Sequence, residues 1–199
     1  MAQKLIVGIT GGIGSGKSVV SRLLNMLGYP VYDSDSKAKR LNDTDEEVKR
    51  ALTLAFGSDL YENGLLNRPK LASLIFQSDS NRQLVNAIIH PAVKRDFLRW
   101  AEAQNSDIVF LEAAILYESG FDAFMNKVVA VAAPEQVRIQ RAMQRDNATE
   151  QQIVNRLRAQ MSQDVLESKA DFVVVNDGIQ PLLPQIEALA VQLRNQIEQ

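Results

Sequence analysis

The stretch LIVGITGGIGSGKSVV, residues 5–20, decides the fold. It opens on an apolar, β-branched run of strand character. Glycines follow at 11, 12, 14 and 16, then Lys17, Ser18 and two valines. Glycine tolerates backbone conformations that other residues avoid, so successive N–H groups can turn into one concavity. Residues 18–27 have helical spacing and stop at Gly28, a residue suited to capping a helix end. Between that strand and that helix, Gly11-x-x-x-x-Gly16-Lys17-Ser18 is a phosphate-binding loop. The helix N-terminus adds the positive end of its dipole. Lys17 adds a full charge for the β- and γ-phosphates, and the Ser18 hydroxyl offers a ligand to Mg²⁺. The expected cradle is Gly14, Ser15, Gly16, Lys17, Ser18 and Val19, with Ser18 on the metal side. The lysine follows the glycines because both serve one polyanion.

Outward from the loop, short Val- and Ile-rich runs recur at 4–9, 30–32, 108–111, 127–132 and 171–175. Their nearly continuous apolar character suits strands covered on both faces, as in a parallel sheet. Thr44-Asp45-Glu46-Glu47 has the spacing of a capping box and opens a helix to about Phe56. Asn67-Arg68-Pro69 starts another, with proline in the first turn. Thr149 to Gln152 repeats the capping-box spacing for a helix through about Met161, and the segment from Pro181 is helical. Strands alternating with helices predict an α/β fold with a five-stranded parallel sheet flanked by helices. The spacing is uneven. The long segment between the second and third strands reads as helix, which predicts a helical insertion over 35–104. A second helical excess covers 135–168. The core is then 1–34, 105–134 and 169–199.

The net charge is −2 with no basic block, so non-specific nucleic-acid binding is not expected. No cysteine occurs, which excludes disulfides and thiolate metal sites. The single histidine excludes a histidine-based metal site. No run approaches the roughly 20 apolar residues of a membrane span. These features predict a soluble cytoplasmic chain, a monomer or weak homo-oligomer.

YPVYDSDSKAKR, residues 29–40, places Asp33 and Asp35 just past the second strand, at the edge where α/β sheets bind ligands. Asp33 is read as the base that accepts the acceptor's hydroxyl proton in line with the γ-phosphate. Turn and N-cap roles for a helix beginning near Ser36 are the alternative for both aspartates, and for Asp35 capping alone explains the residue equally well. IVFLE, residues 108–112, is an apolar strand ending in Glu112, the arrangement that holds Mg²⁺ through a strand-end carboxylate. Glu118 is a looser candidate. Arg138, Arg141 and Arg145 fall at i, i+3 and i+7 on one helix face. They fit a lid that neutralises a transferring phosphoryl group, or a solvated face paired with Glu135, Asp146 and Glu150. His90, before Pro91, reads as a helix-breaking or capping element rather than a catalyst.

These residues resemble the dephospho-CoA kinases. The resemblance is carried by TGGIGSGKS (10–18), YDSDSKAKR (32–40), IIHPAV (88–93), ILYESG (115–120), RAMQRD (141–146), RLRAQM (156–161) and ADFVVVNDG (170–178). It implies a P-loop kinase with a helical CoA-binding subdomain and a lid over about 141–160. It implies ATP and Mg²⁺ as co-substrate and metal, and transfer of the γ-phosphate to the ribose 3′-hydroxyl of dephospho-CoA. Asp33 would face that hydroxyl, with Lys17 and Arg141 on the transferring phosphate. Asp35, His90 and Glu112 would lie on the substrate side. Three positions depart from the family pattern. Glu112-Ala113-Ala114 stands where aspartate, a spacer and proline are usual, which leaves Glu112 open between metal and substrate. Val19 replaces a frequent threonine, and Arg138 a frequent glutamine. A nucleoside monophosphate kinase is the nearest alternative, and a nucleotide-dependent switch another. The base-reading motif of switch GTPases is missing, since Asn126-Lys127 leads into Val128-Val129.

Overall fold

The structure, a computed structural model, describes residues 4–197. Residues 1–3 and 198–199, the ends of the expected core, lie outside the described residues. The chain divides into two compact units, one reaching to Tyr32 and resuming at Gln104, the other Asp33–Ala103.

In the first unit, β1 (Leu5–Thr10) leads through the glycine loop into α1 (Lys17–Met26), and β2 (Val31–Asp33) follows, its last residue counting with the second unit. After the other unit's strands, β3 (Tyr61–Glu62) and β4 (Leu65–Leu66), come β5 (Ile108–Glu112), β6 (Lys127–Ala132) and β7 (Phe172–Val175). The main sheet has the order β2-β5-β1-β6-β7, and the registered pairs β1–β5, β1–β6 and β6–β7 are all parallel. Ile9 lies beside Glu112 and Ala132 beside Val175, so the strand ends form one carboxyl edge. On one face Val20 and Leu24 of α1 and Ile186, Leu189 and Leu193 of α9 (Leu182–Ile197) bury against Val7, Ile9, Phe110, Val129 and Val131. On the other, a side chain at Gly8 would collide with Leu116, which packs there with Met125. Burial on both faces is why the strands read as continuous apolar runs. The second helical excess is α6 (Glu135–Asp146), α7 (Glu150–Arg158) and α8 (Gln163–Lys169), the α7 capping box of Thr149 and Gln152 forming as read.

The Asp33–Ala103 unit holds α2 (Ser34–Thr44), α3 (Glu46–Phe56), α4 (Arg68–Gln77) and α5 (Asp79–Glu102), around Val48, Leu52, Leu60, Leu71, Val85 and Ala92. Three local readings shift here. The cap of α3 is Asp45, which accepts from the Glu47 and Val48 amides at 3.0 and 3.1 Å, while Thr44 ends α2 and donates back to the Arg40 carbonyl. The two-residue turn Asn63-Gly64, both with positive φ, closes an antiparallel hairpin of β3 and β4 that the helical reading passed over. Pro91 sits inside α5 and does not end it. A proline there removes one helical hydrogen bond and costs about 3 kcal/mol. Burial of Val85, Ala92, Val93, Phe97 and Ala101 along a 24-residue helix outweighs that cost.

Candidate active site

The loop between β1 and α1 takes its shape from glycines with no room for anything larger. Gly14 has φ 77° and Gly16 φ 92°. A methyl group on Gly14 would run into the Arg138 backbone carbonyl, and one on Gly16 into the Asn176 side-chain amide. Gly16 is also the N-cap of α1. It offers no side-chain cap, and no acid occupies the first helical turn. The helix therefore keeps its N-terminal amides and positive dipole end open to an anion. Lys17 Nζ donates to the Gly11 carbonyl at 2.8 Å, folding back over the loop. Ser15 and Thr10 are 0 % exposed, and the hydroxyl oxygen of each has no hydrogen-bond partner among the described residues. Buried polar atoms are normally paired, so these two fit a site completed by a polar ligand. Ser18 is exposed at the start of α1. The Val19 amide instead donates to the Gly16 carbonyl at 2.9 Å, which makes it part of the helical turn.

Around this loop the sequence reading is both met and corrected. Arg138, Arg141 and Arg145 share a helix but not an environment. Arg145 is exposed and bonds Asp146, which Arg156 also contacts at 2.6 Å. Those bonds, from Arg145 first, hold the Asp146 carboxyl down at about 2. Arg141 reaches the backbone carbonyl of Asn176 at 2.8 Å. Arg138 is only 6 % exposed, its Nε donating to the Ile13 carbonyl at 3.2 Å. A solvated arginine face describes Arg145 alone, because α6 turns the other two onto the phosphate loop and the end of β7. Glu112, at the end of β5, accepts from the Ser21 hydroxyl at 2.6 Å, placing it beside α1. Glu118 accepts from the Met161 amide at 3.0 Å, a tether between loops.

Two further residues escaped the sequence reading. Asn176, 8 % exposed just past β7, donates from its side chain to the Ser15 carbonyl at 2.8 Å. Gln160 accepts from the Ile13 amide at 2.9 Å. Their partners lie 161 and 147 positions away, and the only sequence signal for Asn176 is a polar residue after an apolar strand.

In the other unit Asp33 is itself the N-cap of α2. Its carboxylate accepts from the Ser36 amide at 3.1 Å and the Ser36 hydroxyl at 2.5 Å. The capping role weighed for both aspartates falls on Asp33 alone, and the helix starts two residues early, leaving Asp35 exposed in its first turn. Asp33 is exposed too, so a cap and a solvent-facing carboxylate coexist in one side chain. His90 is half-buried in α5, and burial lowers its pKa below the ordinary imidazole value. It neither breaks nor caps the helix. An open groove of about 750 Å³ lies between α2, α3 and α5. Its Arg40 and Arg95 are paired with Asp96 and Glu47.

No group of three or more acidic or histidine side chains suited to a metal occurs among the described residues. Mg²⁺ does not need one, since it takes one or two protein ligands alongside phosphate oxygens and water. The Ser18 hydroxyl beside a polyanion cradle fits that requirement.

A glycine loop running from the first strand of a parallel sheet onto an uncapped helix, with Lys17 and Ser18 at the turn, defines the P-loop nucleotide-binding class. The family model described as dephospho-CoA kinase matches residues 5–181. A dephospho-CoA kinase of Porphyromonas gingivalis is 48 % identical over 191 residues, covering 96 % of this chain and 95 % of that one. One from Bacteroides fragilis is 45 % identical over 192 residues, covering 96 % and 94 %. A solved structure from Thermus thermophilus has 34 % identity and a TM-score of 0.81, covering 97 % and 98 %. The chain belongs to the dephospho-CoA kinase family. ATP is the co-substrate of the kinases of this family. A shikimate kinase from Acinetobacter baumannii, at 14 % identity and TM-score 0.54 over 98 % of this chain and 95 % of that one, shares the fold alone.

Proposed function

We propose that this chain transfers the γ-phosphate of ATP to the ribose 3′-hydroxyl of dephospho-CoA, giving coenzyme A and ADP. The observation that carries the reading is a complete phosphate cradle in a chain matched to this family over residues 5–181. The loop amides and the α1 N-terminus bind the phosphates. Lys17 leaves the Gly11 carbonyl for the β- and γ-phosphates, where a compact ammonium offsets developing charge. Arg141, already fixed at the end of β7, meets the transferring group from α6. Ser18, with Glu112 toward the same helix, would hold Mg²⁺, which would supply charge neutralisation at the phosphates.

Asp33 receives the hydroxyl proton. Its bonds to Ser36 orient the carboxylate, which is what a positioned base needs. The insertion over 35–104, with Asp35 and His90, takes the acceptor, and its independent packing supports that role. The segment 135–168 acts as the lid that excludes water from the transferring phosphate. No helix among the described residues is long and apolar enough to cross a membrane. We place the enzyme in the cytoplasm, working without a membrane or nucleic-acid partner, as a monomer or weak homo-oligomer.

The test is ADP release from ATP and Mg²⁺ with dephospho-CoA, AMP, dTMP and shikimate offered separately. Turnover with dephospho-CoA at least a hundredfold above the others is expected. Preference for a nucleoside monophosphate would replace the reading with that kinase class. ATP binding with no acceptor-dependent turnover would leave a nucleotide-binding regulator.

A further inference from the structure

Arg138 is a buried cation facing neutral partners. Its Nε donates to the Ile13 carbonyl at 3.2 Å and its NH1 group to the Gln163 side chain at 3.1 Å. Gln163 is turned toward it by Glu167, whose carboxylate accepts the other end of the amide at 2.8 Å. The second terminal nitrogen, NH2, lies so close to Gly12 that a methyl group there would collide with it. Among the described residues that nitrogen donates to no acceptor and no carboxylate pairs with the guanidinium. Glu135 acts on it only at a distance, and burial works against the charge. A charge buried without a counter-ion is costly unless something else supplies the opposite sign. Here the open anion site is the loop that Arg138 touches.

The contact geometry says how the charge would act. In a phosphate cradle the amides face the ligand. Drawing the Ile13 carbonyl onto Arg138, while Gln160 holds the Ile13 amide at 2.9 Å, fixes the two peptides that flank the Ile13 Cα. The guanidinium also adds a second full positive charge to the loop that Lys17 serves.

The geometry points to Arg138 as a positioning residue for the polyphosphate: it locks the loop at Ile13 and uses the nucleotide's phosphates as its missing counter-charge. This rests on the kinase reading for ATP as the ligand, but not on the identity of the acceptor.

The test compares wild type with Arg138→Met, which keeps bulk without charge, and Arg138→Lys, which keeps charge without the planar fork. Calorimetric titrations use ATP, inorganic tripolyphosphate and AMP, at low and high salt, on proteins whose folding is checked by circular dichroism. Arg138→Met should bind ATP and tripolyphosphate about tenfold more weakly at low salt. That deficit should shrink at high salt. AMP should change by less than about threefold, and Arg138→Lys should recover most of the tripolyphosphate affinity. Should Arg138→Met fail to fold, Arg138→Gln takes its place as the neutral variant. Equal losses for the lysine and neutral variants, insensitive to salt, would reduce Arg138 to packing and overturn the inference. So would unchanged affinities. Failure of wild type to bind ATP would instead count against the kinase reading, and an unexpected acceptor would leave this test intact.

Discussion

Replacing Asn176 by alanine removes the strut beneath the phosphate loop and little else. Its Nδ2 donates to the Ser15 carbonyl at 2.8 Å in a place where Ser15 is 0 % and Asn176 8 % exposed. Stranding a buried acceptor costs about 1–3 kcal/mol. The melting temperature of a chain this size moves roughly 2–4 °C per kcal/mol, so a fall of about 2–12 °C is expected. Gly16 lies against the same amide, and the truncation opens a gap under the N-cap of α1. A loop that must then be ordered by the nucleotide spends about 1–1.5 kcal/mol of binding energy, which raises the KM for ATP roughly five- to tenfold. Arg141 is anchored on the Asn176 backbone carbonyl, which alanine retains, so kcat should stay within about threefold. Asn176→Asp should be worse, because a carboxylate cannot donate to a carbonyl and adds negative charge beside the phosphates. The assay is thermal melting together with initial rates over a matrix of ATP and dephospho-CoA concentrations. An alanine variant with wild-type melting and wild-type KM for ATP would refute the argument that this contact shapes the loop.

Asp33→Asn separates base from cap. Asparagine caps helices as well as aspartate, so melting should move by less than about 2 °C while turnover falls roughly a hundredfold and ATP affinity stays within a few-fold. Near-wild-type turnover would remove Asp33 from the chemistry. Lys17→Ala should weaken ATP binding on the order of tenfold and depress turnover further, in a nucleotide titration and a rate assay; unchanged constants would refute the cradle assignment. His90 is the only histidine, so its two ring C–H signals titrate free of overlap from another imidazole, with a midpoint expected below 6.5 because burial disfavours the imidazolium. The native ring then holds fewer protons than the unfolded one as pH falls through 6.5. Its contribution to stability is present above that value and lost toward the native midpoint. A midpoint at or above 6.5 would contradict the burial argument.

What the sequence disclosed was whatever depends on near neighbours. The strand, glycine loop and helix of residues 5–20 are consecutive, and each residue type has a local reason for its place. The Thr149–Gln152 cap formed as read for the same reason. Where two local signals competed, the structure chose: Asp45 over Thr44 as a cap, and Asp33 over Asp35. Pro91 looked like a stop because its cost is local, while the packing that offsets it comes from residues spread along α5 and its neighbours. The braces of the loop were hidden for a different reason. Arg138, Gln160 and Asn176 act on Ile13 and Ser15 across at least 125 positions, and no spacing rule links them. Arg138 was legible only as an unexplained charge.

The most direct measurement follows the label from γ-labelled ATP into product, resolving by phosphorus and proton NMR which ribose oxygen carries it. The account requires the label on the 3′-oxygen of a product indistinguishable from coenzyme A, formed in step with ADP and dependent on Asp33. Label released as inorganic phosphate, or carried on any other acceptor oxygen, would contradict it.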